Sequence, residues 1–505
     1  MIRISEATNA AYLAGIKPTR NFMRRFEYHS MLDELLTFLN VQPPTRKPEE
    51  QNLPWVAERL LLYLLRDSPQ MYGREIATQK TVAKAINRCW RSNKKIHAGR
   101  TEIESLTLFM RSISISQAPD QVGLNPLAFA RQMLLTESLE PNSRIVALLT
   151  EKARVPLDRF LDLATTAWLH SNHETPWFSE SDLADAAEIF GRTDIDHFLS
   201  GFSFPLERLQ KDLREASDQI TADEWCQPTP LYRTPCIQWK NAIVPFGRPA
   251  LRRYFETFVS DTVDQSEDQK IWQAWESKIE RYVFKIASSL DAEVLDEQGI
   301  RRRFVLGTGL CCDVAIIFPD AIICIEVKTK NLSSDIPAVA TVRDMRAKLK
   351  TTLLSADKQL FSVATALQRH PQFGVLPVYS LIATSTDLLL GGAEDLISNE
   401  WSEPDFWRPL VVSLDDIDWL IEGHRIGKFH MVAALEDFRT RLDNKPFSLY
   451  SLSQLQSEEK YAVSTPEHLV GIFDDRVNRL RVRTKWQGLP VTAASENHLP
   501  PKPPH

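Results

Sequence analysis

The chain has 505 residues, about three domains' worth at roughly 150 residues each, and can bury large cores without disulfide or metal staples. Hydrophobic residues at 43% and charged residues at 25% exclude a disordered chain, and only 17 glycines argue against glycine-rich phosphate loops, collagen and flexible repeats. The net charge of −6 speaks against a nucleic-acid binder only until it is divided: residues 1–100 hold 17 Lys and Arg against 9 Asp and Glu, and the other 405 hold 43 against 57. A basic front on an acidic body suggests an anionic partner, although an ordinary solvated basic face has the same signature.

Residues 1 to about 225 read as mostly helical. The segment 55–65 follows Pro54 and repeats apolar residues at helical spacing. The segment 145–163 does the same with a break at Pro156, and 179–199 opens on an N-cap signal, Ser-Glu-Ser-Asp. Within 75–100, Lys80, Lys84, Arg88 and Arg91 fall three or four apart on one helix face, with Lys94 and Lys95 beyond them. Such a stripe can track a phosphate backbone, and equally can be a solvated face. No recognition-helix or zinc-finger signature accompanies it.

Near residue 226 the texture changes. Five prolines surround two short β-like runs, 236–239 and 242–246, joined by Lys240-Asn241 as a hairpin. The acidic 261–268 reads as a linker. From Ile271 the order becomes helix, strand, strand, strand, helix, strand. Trp272, Trp275, Ile279, Val283, Ile286 and Leu290 form the first helix stripe. Strands are expected at 292–295 (resuming at 304–306), 313–318, 321–327 and 376–383, with a long helix from Met345 to Leu367 before the last. A further strand at 411–414 leads into a helix at 415–422; residues 426–485 look mixed and helical, and 486–505 look disordered.

The six cysteines form no CxxC pair, so reduced buried thiols are expected rather than zinc. No apolar run has the makings of a signal peptide or a membrane span, which places the expected site of action in the cytoplasm. There is no GxxxxGK[ST] loop, so no nucleotide cofactor is expected.

The chemistry concentrates in 312–328. If Pro319-Asp320 closes a two-residue hairpin, Asp313 faces Glu326, and Lys328 shares the face two residues on. Two adjacent carboxylates repel; a lysine offsets this partly, and a divalent cation does so better. Mg²⁺ commonly takes one or two carboxylates with waters and phosphate, and the lysine could orient a water beside a scissile phosphate.

Asp313, Glu326, Val327 and Lys328 resemble the PD-(D/E)XK nuclease superfamily, whose pattern is an acid leading one strand and (D/E)-X-K on the next, within an αβββαβ core. The proline before the first acid is replaced by Cys312. The resemblance implies that Asp313 and Glu326 hold Mg²⁺ (Mn²⁺ substituting), with the Val327 carbonyl as a further ligand and Lys328 positioning water. It also implies a helix acid, Glu280 in preference to Glu276, and a glutamine on the second helix, Gln359.

The expected fold is therefore multidomain α plus α/β: a helical N-terminal half, then a restriction-endonuclease-like αβββαβ core with a small mixed sheet. Its expected divisions are 1–120, 121–225, 226–268, 269–425 (nuclease), 426–485 and a tail at 486–505. The expected activity is Mg²⁺-dependent hydrolysis of DNA with low sequence specificity. The large helical half suggests a sensor that restrains the site until a protein partner, such as a phage protein, binds, as in bacterial antiphage defence proteins. The alternatives are an RNA- or tRNA-cutting toxin-like nuclease and a catalytically inactive nuclease-fold scaffold. Arg24 with His29, and Arg192 with His197, fit the Arg-x4-His spacing of some helical ribonucleases, but no second element accompanies them. His170 and His173 lack the spacing of a helical metal pair.

Overall fold

The computed structural model describes residues 6–41, 53–96, 126–171, 176–215, 229–306, 308–329, 349, 352–386, 409–444 and 452–484. They form a mixed α/β protein, mainly helical, with two small mixed sheets. Among them no helix is long and apolar enough to cross a membrane. The expected tail at 486–505 lies outside the described residues, as do Cys226, His173 and the side chains of Lys94 and Lys95. The other five cysteines are buried free thiols.

The chain divides into two compact units, neither of them one continuous stretch. The first comprises 1–125, 146–258 and 475–489; the second comprises 126–145, 259–474 and 490–505.

The helices α1 (Glu6–Met23), α2 (Tyr28–Asn40), α3 (Pro54–Arg66) and α4 (Gln79–Ile96) open the first unit. α3 is apolar nearly all round and is buried from Val56 to Leu65, the pattern of a helix at the centre of a bundle. At its end Asp67 is buried, and Arg24 grips it through Nε (3.0 Å) and Nη2 (2.8 Å). α5 (Pro126–Glu137) and the start of α6 (Arg144–Ala153) belong to the second unit. The chain then returns to the first with α7 (Leu157–His170), α8 (Glu180–Phe190), α9 (Arg192–Ser200), strand β1 (Ser203–Pro205) and α10 (Leu206–Glu215). A capping box between Ser179 and Asp182 starts α8, and Gly191 at φ +89° ends it, so the single helix read over 179–199 is two.

Strands β2 (Cys236–Trp239) and β3 (Ala242–Pro245) make the anticipated hairpin. Its turn residues Lys240 and Asn241 both have positive φ, as a two-residue turn of matching twist requires. Not anticipated is β1, which adds to β2 in parallel. The expected linker at 261–268 is corrected: helix α11 (Arg248–Asp264) runs through its first half. Val263 and Thr262 are buried there while Asp261 faces solvent, so the acidity marks one face of a helix rather than a loop.

In the second unit α12 (Gln269–Ala287) precedes β4 (Glu293–Asp296), α13 (Glu297–Arg303), β5 (Val314–Ile317), β6 (Ile322–Lys328), α14 (Leu353–Gln368), β7 (Val378–Thr384), β8 (Leu410–Ser413) and α15 (Leu414–Arg425). The sheet order is β4-β5-β6-β7-β8. The first two pairings are antiparallel and the last two parallel. The strand does not resume at 304–306: Phe304 turns inward against Phe373, and Val305 has φ +55°. α12 packs on β4, β5 and β6, and α14 on β6 and β7. β6 is buried on both faces up to Val327, which explains its apolar run Ile322-Ile323-Cys324-Ile325. Each such side chain contributes about 1.5–3 kcal/mol on burial.

α16 (Met431–Asn444) and α17 (Glu467–Thr484) follow. Within this unit Arg131 of α5 is almost wholly buried and donates to Asp418 of α15 through Nε (2.9 Å) and Nη2 (2.6 Å). Asp418 also accepts from the Tyr282 hydroxyl of α12. Burial alone would push the Asp418 carboxyl up, but the Arg131 guanidinium holds it below the ordinary carboxylate value.

Candidate active site

The hairpin register decides which side chains meet. Val314 pairs with Ile325 and Ile317 with Ile322, so Pro319-Asp320 is the two-residue turn, with the Phe318 N–H donating to the Ala321 carbonyl. Regular pairing stops at Val314, and Asp313 lies one residue outside β5. Its backbone N–H donates to the Ile325 carbonyl (3.1 Å), and its Oδ2 accepts from the Val327 N–H at 2.7 Å. The carboxylate is thus clipped to the end of β6 by the backbone of the residue between Glu326 and Lys328.

Glu326 and Lys328 alternate onto one face of β6 and form an ion pair, in which Glu326 Oε1 accepts from Lys328 Nζ. The other oxygen, Glu326 Oε2, is buried and accepts no hydrogen bond from the described residues. Gln359 of α14 reaches the same point: its Oε1 accepts from Lys328 Nζ (3.3 Å) and its Nε2 donates to the Cys311 carbonyl (3.1 Å). The amide thereby ties the lysine to the loop that leads to Asp313. Lys358, the neighbour of Gln359, faces solvent.

From α12, half-buried Glu280 and Glu276 act on this group electrostatically. Burial, and then the negative charges of Asp313 and Glu276, push the Glu280 carboxyl up to about 7. Burial is also the main cause that lifts Asp313 to about 6, opposed by its bond from Val327 and by Lys328. Glu326 is raised by burial and by Asp313. Burial disfavours the Lys328 ammonium, but Glu326 outweighs it, so its pKa lies above the ordinary lysine value.

Could these residues hold a cation? Among the described residues no group of three or more His, Cys, Asp or Glu side chains is arranged to hold a metal. The donor set is instead a pair, Asp313 and Glu326, with helix acids behind it. Mg²⁺ commonly needs only one or two carboxylates with waters. The buried, unbonded Glu326 Oε2 beside an elevated Asp313 is a place where a divalent ion would relieve both the desolvation and the repulsion, so the residues fit one.

Other anticipated positions fall elsewhere. Lys80, Lys84, Arg88 and Arg91 lie exposed along α4 in the first unit, with the Arg88 guanidinium 4.4 Å from the centre of the Phe22 ring. Arg24 is committed to Asp67, whereas His29 stands beside Glu27 and Trp239, so they form no shared site. Arg192 pairs with Asp196 on the surface. His170 Nε2 bonds the Trp177 carbonyl and the ring stacks on Phe178, a structural use.

Two partners escape sequence reading: the Val327 N–H and the Cys311 carbonyl, which are backbone groups and carry no side-chain signature. Glu276 had a signal, its one-turn spacing from Glu280. Comparison of the chain with protein-family models, with curated proteins and with solved structures finds no match.

Proposed function

We propose that the second unit carries a metal-dependent phosphodiesterase site of the PD-(D/E)XK kind, acting on nucleic acid and foremost on DNA. The observation that carries the reading is the convergence of Asp313, Glu326, Lys328 and Gln359 at the open ends of β5 and β6. Among the described residues the element order is α12-β4-β5-β6-α14-β7, with the short α13 between β4 and β5, and this is the order that such a core requires.

Asp313 and Glu326 would hold Mg²⁺ or Mn²⁺, with the Val327 carbonyl and Glu280 as further donors. The bound ion supplies Lewis-acid polarisation of a phosphoryl oxygen and a lowered water pKa. Lys328, held by Gln359, offers an ammonium to orient the attacking water and to offset charge developing on the phosphorus-bound oxygens. Glu326 keeps that lysine charged. The exposed basic face of α4 supplies a phosphate-tracking surface in the first unit.

The test is incubation of the full chain with plasmid DNA and with total RNA, in Mg²⁺ and in Mn²⁺, beside Lys328→Ala and Asp313→Ala. Cleavage of DNA by wild type alone is the expected result, and cleavage of RNA alone moves the substrate. If wild type and both variants are equally inert while all three support the same cellular phenotype, the site is a scaffold and the reading fails. The wider role, an antiphage effector whose helical half answers to a protein partner, is tested by phage plating on cells carrying wild type or Lys328→Ala. Equal plating removes it.

A further inference from the structure

Helix α4 carries six Lys and Arg in its 18 residues and no acid. Its first turn is fixed by Thr78, whose carbonyl accepts from the Thr81 N–H at 2.8 Å. A helix face that is merely solvated ordinarily mixes the two signs, because opposite charges one turn apart stabilise each other. Here the cations stand alone. Lys80, Lys84 and Arg91 are exposed, and among the described residues no carboxylate pairs with them. Arg88 is anchored instead over the Phe22 ring of α1, which packs along α4.

Beside the cations runs a second ridge. Residues four apart on a helix line up, so Gln79, Ala83 and Asn87 form one row next to Lys80, Lys84 and Arg88 in the other. The opposite side, with Val82, Ile86 and Cys89, is buried. Gln79 is exposed and Asn87 partly so, and neither side chain hydrogen-bonds to a described residue. Asparagine is a poor helix former, and without a bond to its own backbone nothing in the fold repays its place in mid-helix. The row therefore offers an amide, a methyl and an amide about 6 Å apart. Trp90 turns partly inward against the core, so no large apolar side chain joins them.

We infer that α4 lies in the major groove of duplex DNA and reads its sequence. That groove is about 12 Å wide and admits one helix. Asn87 and Gln79 present amides of the kind that bond both N6 and N7 of an adenine, and Ala83 between them lets the helix approach the base edges closely. Lys80, Lys84 and Arg91 meet the phosphates. The major groove of A-form RNA is too narrow for a helix, and an acidic protein would find no aromatic or large aliphatic anchor on this face. The connection 67–78 ahead of α4 is longer than the tight turn that marks a reading helix in a sequence, so only the pattern of exposure reveals it. The inference goes beyond the phosphodiesterase reading and does not depend on it, because it concerns the first unit alone.

The test is selection by the full chain, in EDTA, from a pool of DNA duplexes with a randomised centre, followed by fluorescence anisotropy. The probes are the enriched duplex, a scrambled duplex of the same composition, and an RNA duplex of the enriched sequence. Wild type is expected to bind the enriched duplex about tenfold or more tighter than either other probe. Asn87→Ala is expected to lose about fivefold or more on the enriched duplex and little on the scrambled one. Alanine is the better helix former, so this variant should melt at or above wild type, which separates lost reading from lost fold. Lys84→Ala should weaken both DNA probes alike and reduce the salt slope by about one.

The inference is overturned if no sequence is enriched, if RNA binds as tightly as the enriched DNA, or if Asn87→Ala changes neither DNA probe or both equally. Cleavage in Mg²⁺ is scored separately. A preference that depends on Asn87, with no cutting by wild type, leaves α4 as a DNA reader and counts against the phosphodiesterase reading. Cutting without any preference does the reverse.

Discussion

Lys328 does two jobs at once, and that makes its removal informative. Its ammonium offsets a carboxylate that is 1% exposed and, among the described residues, bonded on one oxygen only. Lys328→Ala should abolish cleavage and also lower stability, by about 1–3 kcal/mol. The loss should be larger near pH 8 than near pH 5, because at the lower pH the orphaned Glu326 carboxyl neutralises itself by taking a proton; denaturant melts at the two values check this. The elevated Asp313 and Glu280 give a second pH signature. A carboxyl whose folded pKa lies above its unfolded value binds more protons in the fold between the two, so stability falls as pH rises through that window. Here the window runs from about 4 to about 7. Added Mg²⁺ should therefore raise the melting temperature clearly at pH 8 and little at pH 5, where the same carboxyls are protonated; equal shifts at both pH values would remove these groups from the cation site. Much of this was legible in the sequence, since Glu326-Val327-Lys328 ends an apolar strand and Gln359 sits where a long helix can reach it. The clip from the Val327 N–H to Asp313 was not, because backbone donors look alike in a sequence.

Among the elements, the hairpin β5–β6 was the most readable, because Ile and Val on both faces declare a buried strand and Pro-Asp declares its turn. Acidic 261–264 was misread because charge says which face is wet and not whether the chain is helical. The strand-to-helix corner after β8 is a place where local chemistry holds two elements together. Ser413 closes the strand and caps α15, its Oγ accepting from the Asp416 N–H at 3.1 Å while the Asp416 carboxylate accepts from Ser413 N at 2.8 Å. Ser413→Ala should cost about 1 kcal/mol in denaturant unfolding, with cleavage little changed. A loss of activity as large as that of Lys328→Ala would mean that this corner sets the site and not only the stability.

For the whole molecule, the net charge of −6 is an average over a basic helix face in one unit and a carboxylate site in the other. Lys80, Lys84 and Arg91 can be removed without disturbing Arg88 on Phe22. Their triple alanine variant should reduce the salt dependence of nucleic-acid binding by about 0.9 in slope for each phosphate that is no longer neutralised, and an unchanged slope would make the stripe a solvated face. The division of the chain was beyond sequence reading, because an ion pair such as Arg131 with Asp418 spans 287 positions and leaves no local trace. A fragment covering 269–425 retains every site residue but leaves Asp418 buried without its guanidinium, a loss of about 3–5 kcal/mol. That fragment should fail to melt cooperatively, whereas one that joins 126–145 to 259–474 should recover. The same ion pair sets a clock during synthesis. At about 5–20 residues per second, Arg131 leaves the ribosome roughly 15 to 60 s before the aspartate that receives it. Until α15 emerges the second unit cannot close around that charge, so a half-made chain holds Asp313, Glu326 and Lys328 on an unfinished sheet. On the phosphodiesterase reading, such a nascent chain would be harmless to the nucleic acid around it until α15 had emerged.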